Sequence, residues 1–129
     1  MTPELTVLAL AVLLQAAQIG LYSVLGQKQA GTAAAMGPRD EPVALTGRAG
    51  RAKRALDNHF EALTLFTIAV TVVTLAEQST PVTVTLAWIY LAARILYVPA
   101  YLGGWVPGRS LIWAAGFLAT LAMILAAFL

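Results

Sequence analysis

Two short runs of polar residues interrupt stretches of this 129-residue chain that are otherwise apolar. The first run comprises Arg54, Asn58 and Glu61, and the second comprises Tyr90, Arg94, Tyr97 and Tyr101. Spacings of three and four residues place the members of each run on one face of a helix. A guanidinium binds a carboxylate through two parallel hydrogen bonds, and carboxylate or amide oxygens accept from an ammonium group. The two faces therefore predict a polar pocket for an anionic ligand.

Positive charge exceeds negative charge around this predicted pocket. The arginines and the carboxylates near it are Arg51, Arg54, Arg94 and Arg109, against Asp57 and Glu61. A charge at membrane depth is costly unless it faces protein, water or a ligand. The unmatched guanidinium groups therefore predict an anionic guest, and a small peptide with two carboxylates and one amine has suitable groups. In the alternative interpretation, Glu61 and Arg94 only neutralise each other and hold two helices together.

The composition excludes several classes of protein. Hydrophobic residues make up 60% of the chain and charged residues 11%, and the mean hydropathy is +0.80. A soluble domain needs more polar surface. The formal net charge of +2 is too small for a nucleic-acid binder. The chain has no cysteine and one histidine, His59, which excludes a thiol nucleophile and argues against a metal centre.

Four apolar stretches predict an all-α fold, an integral membrane four-helix bundle that forms a single domain. Each stretch is close to the ~20 residues that a helix needs to cross the hydrocarbon core. The predicted spans are residues 5–25, 50–77, 82–102 and 110–129. We expect the second helix to begin before its apolar part, near Gly47 or Arg48. The third helix should start after Pro81 and end at Gly103.

The distribution of Lys and Arg predicts the orientation. Residues 26–49 form a long polar connection with expected turns at Gly37-Pro38 and Glu41-Pro42. All the basic residues except Arg94 lie in or beside the first and third connections: Lys28, Arg39, Arg48, Arg51, Lys53, Arg54 and Arg109. Since cytoplasmic loops carry the excess of positive charge, the 26–49 loop should be cytoplasmic and both termini outside.

Two segments resemble the signatures of a known family. The run RAKRALDNHFE, from Arg51 to Glu61, is similar to the first signature of the MAPEG family, the membrane-associated proteins in eicosanoid and glutathione metabolism. The run RILYVPAYLG, from Arg94 to Gly103, looks like the second signature and is followed by Arg109 and Ser110. With four spans and a long first connection, the resemblance covers essentially the whole chain. The first connection looks like that of a bacterial branch, which implies a bacterial inner membrane.

The resemblance implies a homotrimer that holds glutathione, as a co-substrate, between neighbouring subunits at the cytoplasmic face. By motif position the peptide would be held by Arg54, Asn58, Glu61, Arg94, Tyr97 and Tyr101, and Arg51 and Tyr90 belong to the same predicted pocket. Arg109 would stabilise the thiolate, and Ser110 is a neighbouring hydroxyl candidate. A groove facing the membrane lipids would deliver a lipophilic small-molecule substrate, as in a glutathione S-transferase or peroxidase.

Two other functions stay open at this point. A non-catalytic binding or scaffold protein of the same fold would use the pocket for a lipid headgroup or a small anion. A small four-span multidrug exporter would need a membrane-embedded carboxylate, usually in its first span. Here the first span has only Glu4, at its tip, and the predicted pocket is rich in arginine. The exporter is therefore the weakest of the three interpretations.

Overall fold

A computed structural model of the chain describes residues 1–30 and 46–129, without the side chain of Ala30. These residues form four helices, α1 (Pro3–Ala30), α2 (Gly47–Leu75), α3 (Pro81–Leu102) and α4 (Val106–Ala126). Each helix is long and apolar enough to cross a membrane. The prediction of an all-α chain with four spans is therefore confirmed for the part of the chain that the structure describes.

Local sequence signals fix both ends of α3. At its start, the Thr80 hydroxyl accepts from the backbone N–H of Thr83, and the Thr83 hydroxyl accepts from that of Thr80. Pro81 occupies the first turn, where its missing N–H would have no intrahelical partner. After the helix, Gly104 has φ +71°, a conformation that costs glycine little. Helix α3 thus begins at Pro81, one residue before the predicted span, and ends at Leu102.

The fourth helix begins earlier than its apolar stretch suggested. The expected start was Ser110, but α4 begins at Val106 and takes Pro107 into its first turn. Proline is tolerated there because the first N–H groups of a helix have no intrahelical acceptor. Gly108 follows it, and a Cβ at this position would lie 2.3 Å from the ring of Trp105. The ring of Trp105 therefore lies directly against Gly108, and a larger residue there would have to displace it.

The long first connection is shorter in the structure than the predicted 26–49. Helix α1 continues to Ala30, and α2 begins at Gly47. Polar residues at the end of α1 include good helix formers, so the helix extends beyond its apolar part. The Gln29 side chain holds the two helices together, because it accepts from the backbone N–H of Thr46 and donates to its carbonyl. The turns expected at Gly37-Pro38 and Glu41-Pro42 lie outside the described residues.

Successive helices run in opposite directions, with α2 and α3 in the middle of the bundle. Helix α1 packs on one side of this pair and α4 on the other, and α1 and α4 do not touch. We call one end of the bundle the basic end, because its described residues include Lys28, Arg48, Arg51, Lys53, Arg54 and Arg109. The apolar core lies toward the opposite end, around Val7, Phe66, Val70, Val73, Ala87 and Met123. Small residues such as Ala87 let the helices approach closely.

Candidate functional site

Arg94 of α3 is buried, at 2% exposure, near the middle of the bundle. Its Nη1 donates to Oδ1 of Asn58 on α2 at 2.9 Å, and its guanidinium carbon lies 4.3 Å from the ring centre of Tyr97. Its Nε and Nη2 atoms have no hydrogen-bond partner among the described residues. Arg94 precedes the end of α3 by about 12 Å of helix. A cation at this depth with two free donors calls for an anionic or polar ligand.

A cleft of about 90 Å³ opens beside Arg94, and we call it the Arg94 cleft. Three helices line it: Asn58, Glu61, Ala62 and Leu65 of α2, Tyr90 and Arg94 of α3, and Trp113, Gly116, Phe117 and Thr120 of α4. Its wall on α4 is largely aromatic, because the rings of Trp113 and Phe117 stack at 5.0 Å. The cleft thus joins polar groups at the α2–α3 contact to an apolar surface on α4.

Tyr90 forms the deep wall of the Arg94 cleft. Its ring stacks on that of Phe66, with centroids 3.9 Å apart and planes within 4°. The stacking fixes the ring, but the buried hydroxyl has no hydrogen-bond partner within residues 1–30 and 46–129. A buried tyrosine hydroxyl usually finds such a partner. Tyr90 and Arg94 therefore both bring unpaired polar atoms to the lining of one cleft.

A second group, the basic-end cluster, consists of Arg54, Tyr101 and Arg109. The Nε of Arg54 donates to the Tyr101 hydroxyl at 3.2 Å, and its guanidinium carbon lies 6.0 Å from the ring centre. The guanidinium carbon of Arg109 lies 4.5 Å from the same centre. The ring of Tyr97 is 5.5 Å from that of Tyr101 and also contacts Arg94. Tyr97 therefore connects this cluster to the Arg94 cleft.

Arg51, expected in the pocket, and Ser110, the candidate hydroxyl beside Arg109, both donate to backbone carbonyls. Arg51 donates from Nη1 to the carbonyl of Leu102 at 3.1 Å, and so satisfies an acceptor at the end of α3. The hydroxyl of Ser110 donates to the carbonyl of Val106 within α4. Both residues lie outside the lining of the Arg94 cleft. The Arg51 contact joins α2 to the end of α3, whereas the Ser110 contact stays within α4.

The charge balance is more one-sided than the sequence suggested. The one ion pair among the described residues joins Lys53 and Asp57 at 2.7 Å, so this carboxylate is already paired. The alternative in which Glu61 neutralises Arg94 is wrong, because Arg94 bonds to Asn58, and Glu61 is exposed at the rim of the cleft. The arginines of the cleft and of the basic-end cluster therefore have no carboxylate partner in the described parts of the chain.

Sequence reasoning missed the contribution of α4. Trp113, Gly116, Phe117 and Thr120 recur at helical spacing, and this spacing could have shown that they share a face. They were not recognised because an apolar face in a membrane helix can equally well contact lipid. Only the packing of α4 against α2 and α3 distinguishes the two environments.

The comparison with protein families decides the identity. A sequence model of the MAPEG family matches residues 5–129, nearly the whole chain. The chain belongs to the MAPEG family. Comparisons with curated proteins and with solved structures found no match. With its four membrane-spanning helices, this MAPEG protein is an integral membrane protein of the family named for eicosanoid and glutathione metabolism.

Proposed function

We propose that this MAPEG protein is a membrane-bound glutathione-dependent transferase or peroxidase that acts on lipophilic electrophiles. The observation that carries the proposal is Arg94, a buried cation that bonds to an amide oxygen and has two further nitrogens that no described residue pairs. Such a group binds a carboxylate strongly, because a charge-assisted hydrogen bond is about twice as strong as a neutral one. Glutathione brings two carboxylates and one ammonium group to this site.

The polar groups around Arg94 match the groups of such a peptide. Arg94 and Arg54 would each bind a carboxylate, and Tyr97 and Tyr101 lie between these two arginines. The exposed carboxylate of Glu61 would accept from the ammonium group, with the amide of Asn58 beside it. This assignment uses the cleft and the basic-end cluster as one binding surface.

Arg109 would act on the sulfur. The thiolate is the nucleophile, and a neighbouring cation favours it over the thiol. The thiol proton passes to solvent at the basic end, the sulfur attacks the electrophilic carbon, and the leaving group departs with its bonding electrons. Trp113 and Phe117 would receive the apolar part of the electrophile from the lipid, because both rings lie on the cleft wall and Trp113 is partly exposed.

The exposed face of α2 supports a homotrimer with glutathione held between subunits. The exposed polar residues of this helix begin near the basic end with Arg54, Asp57 and Glu61. They extend toward the other end of the helix with Thr64, Thr67 and Thr71. Glu61 lies about 21 Å of helix from Gly47. A carboxylate that faces hydrocarbon is costly, so a partner subunit or a ligand should cover it.

The remaining parts of the proposal concern the membrane. Every Lys and Arg of the described residues except Arg94 lies at or close to the basic end, which the positive-inside rule places in the cytoplasm. Both termini would then lie outside, and the protein would reside in a bacterial inner membrane. Its partners would be other copies of itself, membrane lipids and the lipophilic substrate.

One observation favours a second candidate, a non-catalytic binding protein of the same fold. Arg109 belongs to the basic-end cluster and does not line the Arg94 cleft. The cleft could therefore hold a lipid headgroup or a small anion without any group that activates a thiol. The two candidates differ in chemistry and not in the binding of an anion.

Conjugation and binding assays on the purified protein in detergent test both candidates. We expect wild type to bind glutathione and to conjugate it to an aryl halide. Arg109→Ala should lower turnover much more than binding, and Arg48→Ala is the matched control, since Arg48 is exposed at the same end. Binding without conjugation would favour the second candidate. If millimolar glutathione gave no heat of binding and no thermal stabilisation, the proposed ligand would be contradicted.

A further inference from the structure

Three buried polar side chains, two on α1 and one on α2, lie outside the lining of the Arg94 cleft. Gln15 and Gln18 are one turn apart on α1 and are 5% and 4% exposed, and His59 of α2 is fully buried. Nδ1 of His59 contacts Oε1 of Gln15. Intramembrane polar residues are rare and face the interior when they occur. None of the three is used by the proposed function.

The helix registers place this group at the level of Arg94. At the opposite end of the bundle, the hydroxyl of Thr83 on α3 donates to Oε2 of the buried Glu4 on α1, at 3.5 Å. Gln15 follows Glu4 on α1 by as many residues as Arg94 follows Thr83 on α3. His59 contacts Gln15 and directly follows the residue of α2 that binds Arg94. Three helices therefore bring polar side chains to one depth inside the bundle.

These side chains leave both donors and acceptors unsatisfied. Nε2 of Gln15, both polar atoms of the Gln18 amide and Nε2 of His59 have no hydrogen-bond partner among the residues that the structure describes. Because Nδ1 of His59 faces a carbonyl oxygen, it carries the ring proton, and Nε2 is an acceptor in the neutral ring. Unpaired polar groups in hydrocarbon cost several kcal/mol each, so a ligand is expected.

The mixture of donors and acceptors selects the ligand. An anion would satisfy the amide N–H groups but not Nε2 of His59 or the carbonyl oxygen of Gln18. A cation would satisfy only the acceptors. A water molecule donates and accepts, and buried waters typically make about three hydrogen bonds to such groups. We propose that Gln15, Gln18 and His59 form an internal water site between α1 and α2 at the level of Arg94.

The site is separate from the one assigned to the anionic ligand. Helix α1 does not touch α4 and contributes no residue to the lining of the Arg94 cleft. The water would therefore hydrate the interior of the bundle on the α1 side, whatever occupies the cleft. It would hold α1 on α2 by bridging hydrogen bonds, which are nearly as favourable as direct ones.

The single histidine of the chain gives a direct test. The full-length protein, labelled with ¹⁵N in its histidine, lysine and arginine residues and reconstituted in lipid, is studied by solid-state NMR with magnetisation transferred from water. We expect transfer from water to the His59 ring and an Nε2 signal displaced from that of an unbonded ring nitrogen. No transfer to the ring, while Lys and Arg side chains at the basic end receive it, would overturn the proposal.

A matched pair of variants sharpens this test. Gln18→Met keeps the length of the side chain and removes both its polar atoms, so most of the water transfer to His59 should be lost. Gln27→Met makes the same change at an exposed position of α1 and should leave the transfer as in wild type. Unchanged transfer in Gln18→Met would overturn the assignment. A direct bond between the Gln18 amide and His59 without water would also do so.

Discussion

Replacing Arg94 by methionine should remove ligand binding without unfolding the protein. Arg94→Met keeps a long flexible side chain and removes the charge. The variant loses a charge-assisted hydrogen bond to Asn58 and the contact with the Tyr97 ring. It also removes two buried nitrogens that have no partner among the described residues. The structural question is which of these two effects is larger.

The magnitudes favour a stable variant. The lost hydrogen bond contributes about 1.5–3 kcal/mol, and each unsatisfied buried donor costs about 1–3 kcal/mol. The cation–π contact contributes roughly 0.5–2 kcal/mol. Since these terms nearly cancel, and since replacing buried charges by apolar side chains is often neutral or stabilising, the ligand-free variant should unfold at or above the wild-type temperature. Loss of one partner of a buried charge pair costs about 2–5 kcal/mol of binding, at least about thirtyfold in affinity.

Thermal unfolding in detergent, with and without glutathione, measures both quantities. Glutathione should raise the unfolding temperature of wild type and of Arg48→Met, a control at an exposed arginine of the basic end. It should have no effect on Arg94→Met at the same concentration. If glutathione raised the unfolding temperature of Arg94→Met as much as that of wild type, Arg94 would not be the anion-binding group. A large loss of stability without ligand would refute the argument from its unpaired nitrogens.

Three further predictions concern turnover, packing and assembly. Arg109→Ala should lower the kcat for conjugation with little change in glutathione affinity, because the thiolate loses its cation; an equal loss of both would contradict this role. Phe66→Ala should destabilise the protein by about 3–5 kcal/mol, since a fully buried ring is lost; Phe60→Ala, at an exposed ring of the same helix, is the control. Thr71→Cys, in a chain without other cysteines, should form crosslinks between subunits under oxidation. Monomers alone on a denaturing gel would argue against α2 at the interface.

Periodicity and capping made most of the fold predictable. The spacing of Arg54 and Asn58, and of Arg94, Tyr97 and Tyr101, placed each run on one helix face, and the hydrogen bonds between α2 and α3 join the two faces. These signals are local, because they depend on the helical repeat and on the residues at helix ends. The excess of arginine over carboxylate was likewise visible in the sequence.

The partners of the polar groups could not be predicted in the same way. Glu61 and Asn58 lie on the same face of α2, and only the rotation of α2 against α3 decides that Arg94 donates to the amide oxygen of Asn58. Arg51 was expected in the pocket and Ser110 beside the thiolate, but Arg51 donates to the carbonyl of Leu102 and Ser110 to that of Val106 in its own helix. Such choices depend on distances of a few ångströms between helices.

The sequence by itself determined four membrane helices, their order, the end that carries the positive charge and the family. The tertiary structure decided that α4 completes the Arg94 cleft and that α1 brings Gln15 to His59. In a membrane helix an apolar side chain is equally stable against lipid and against protein, so hydrophobicity does not reveal which face is buried. Helix packing alone distinguishes the two, and it places the polar groups of separate helices within reach of one another.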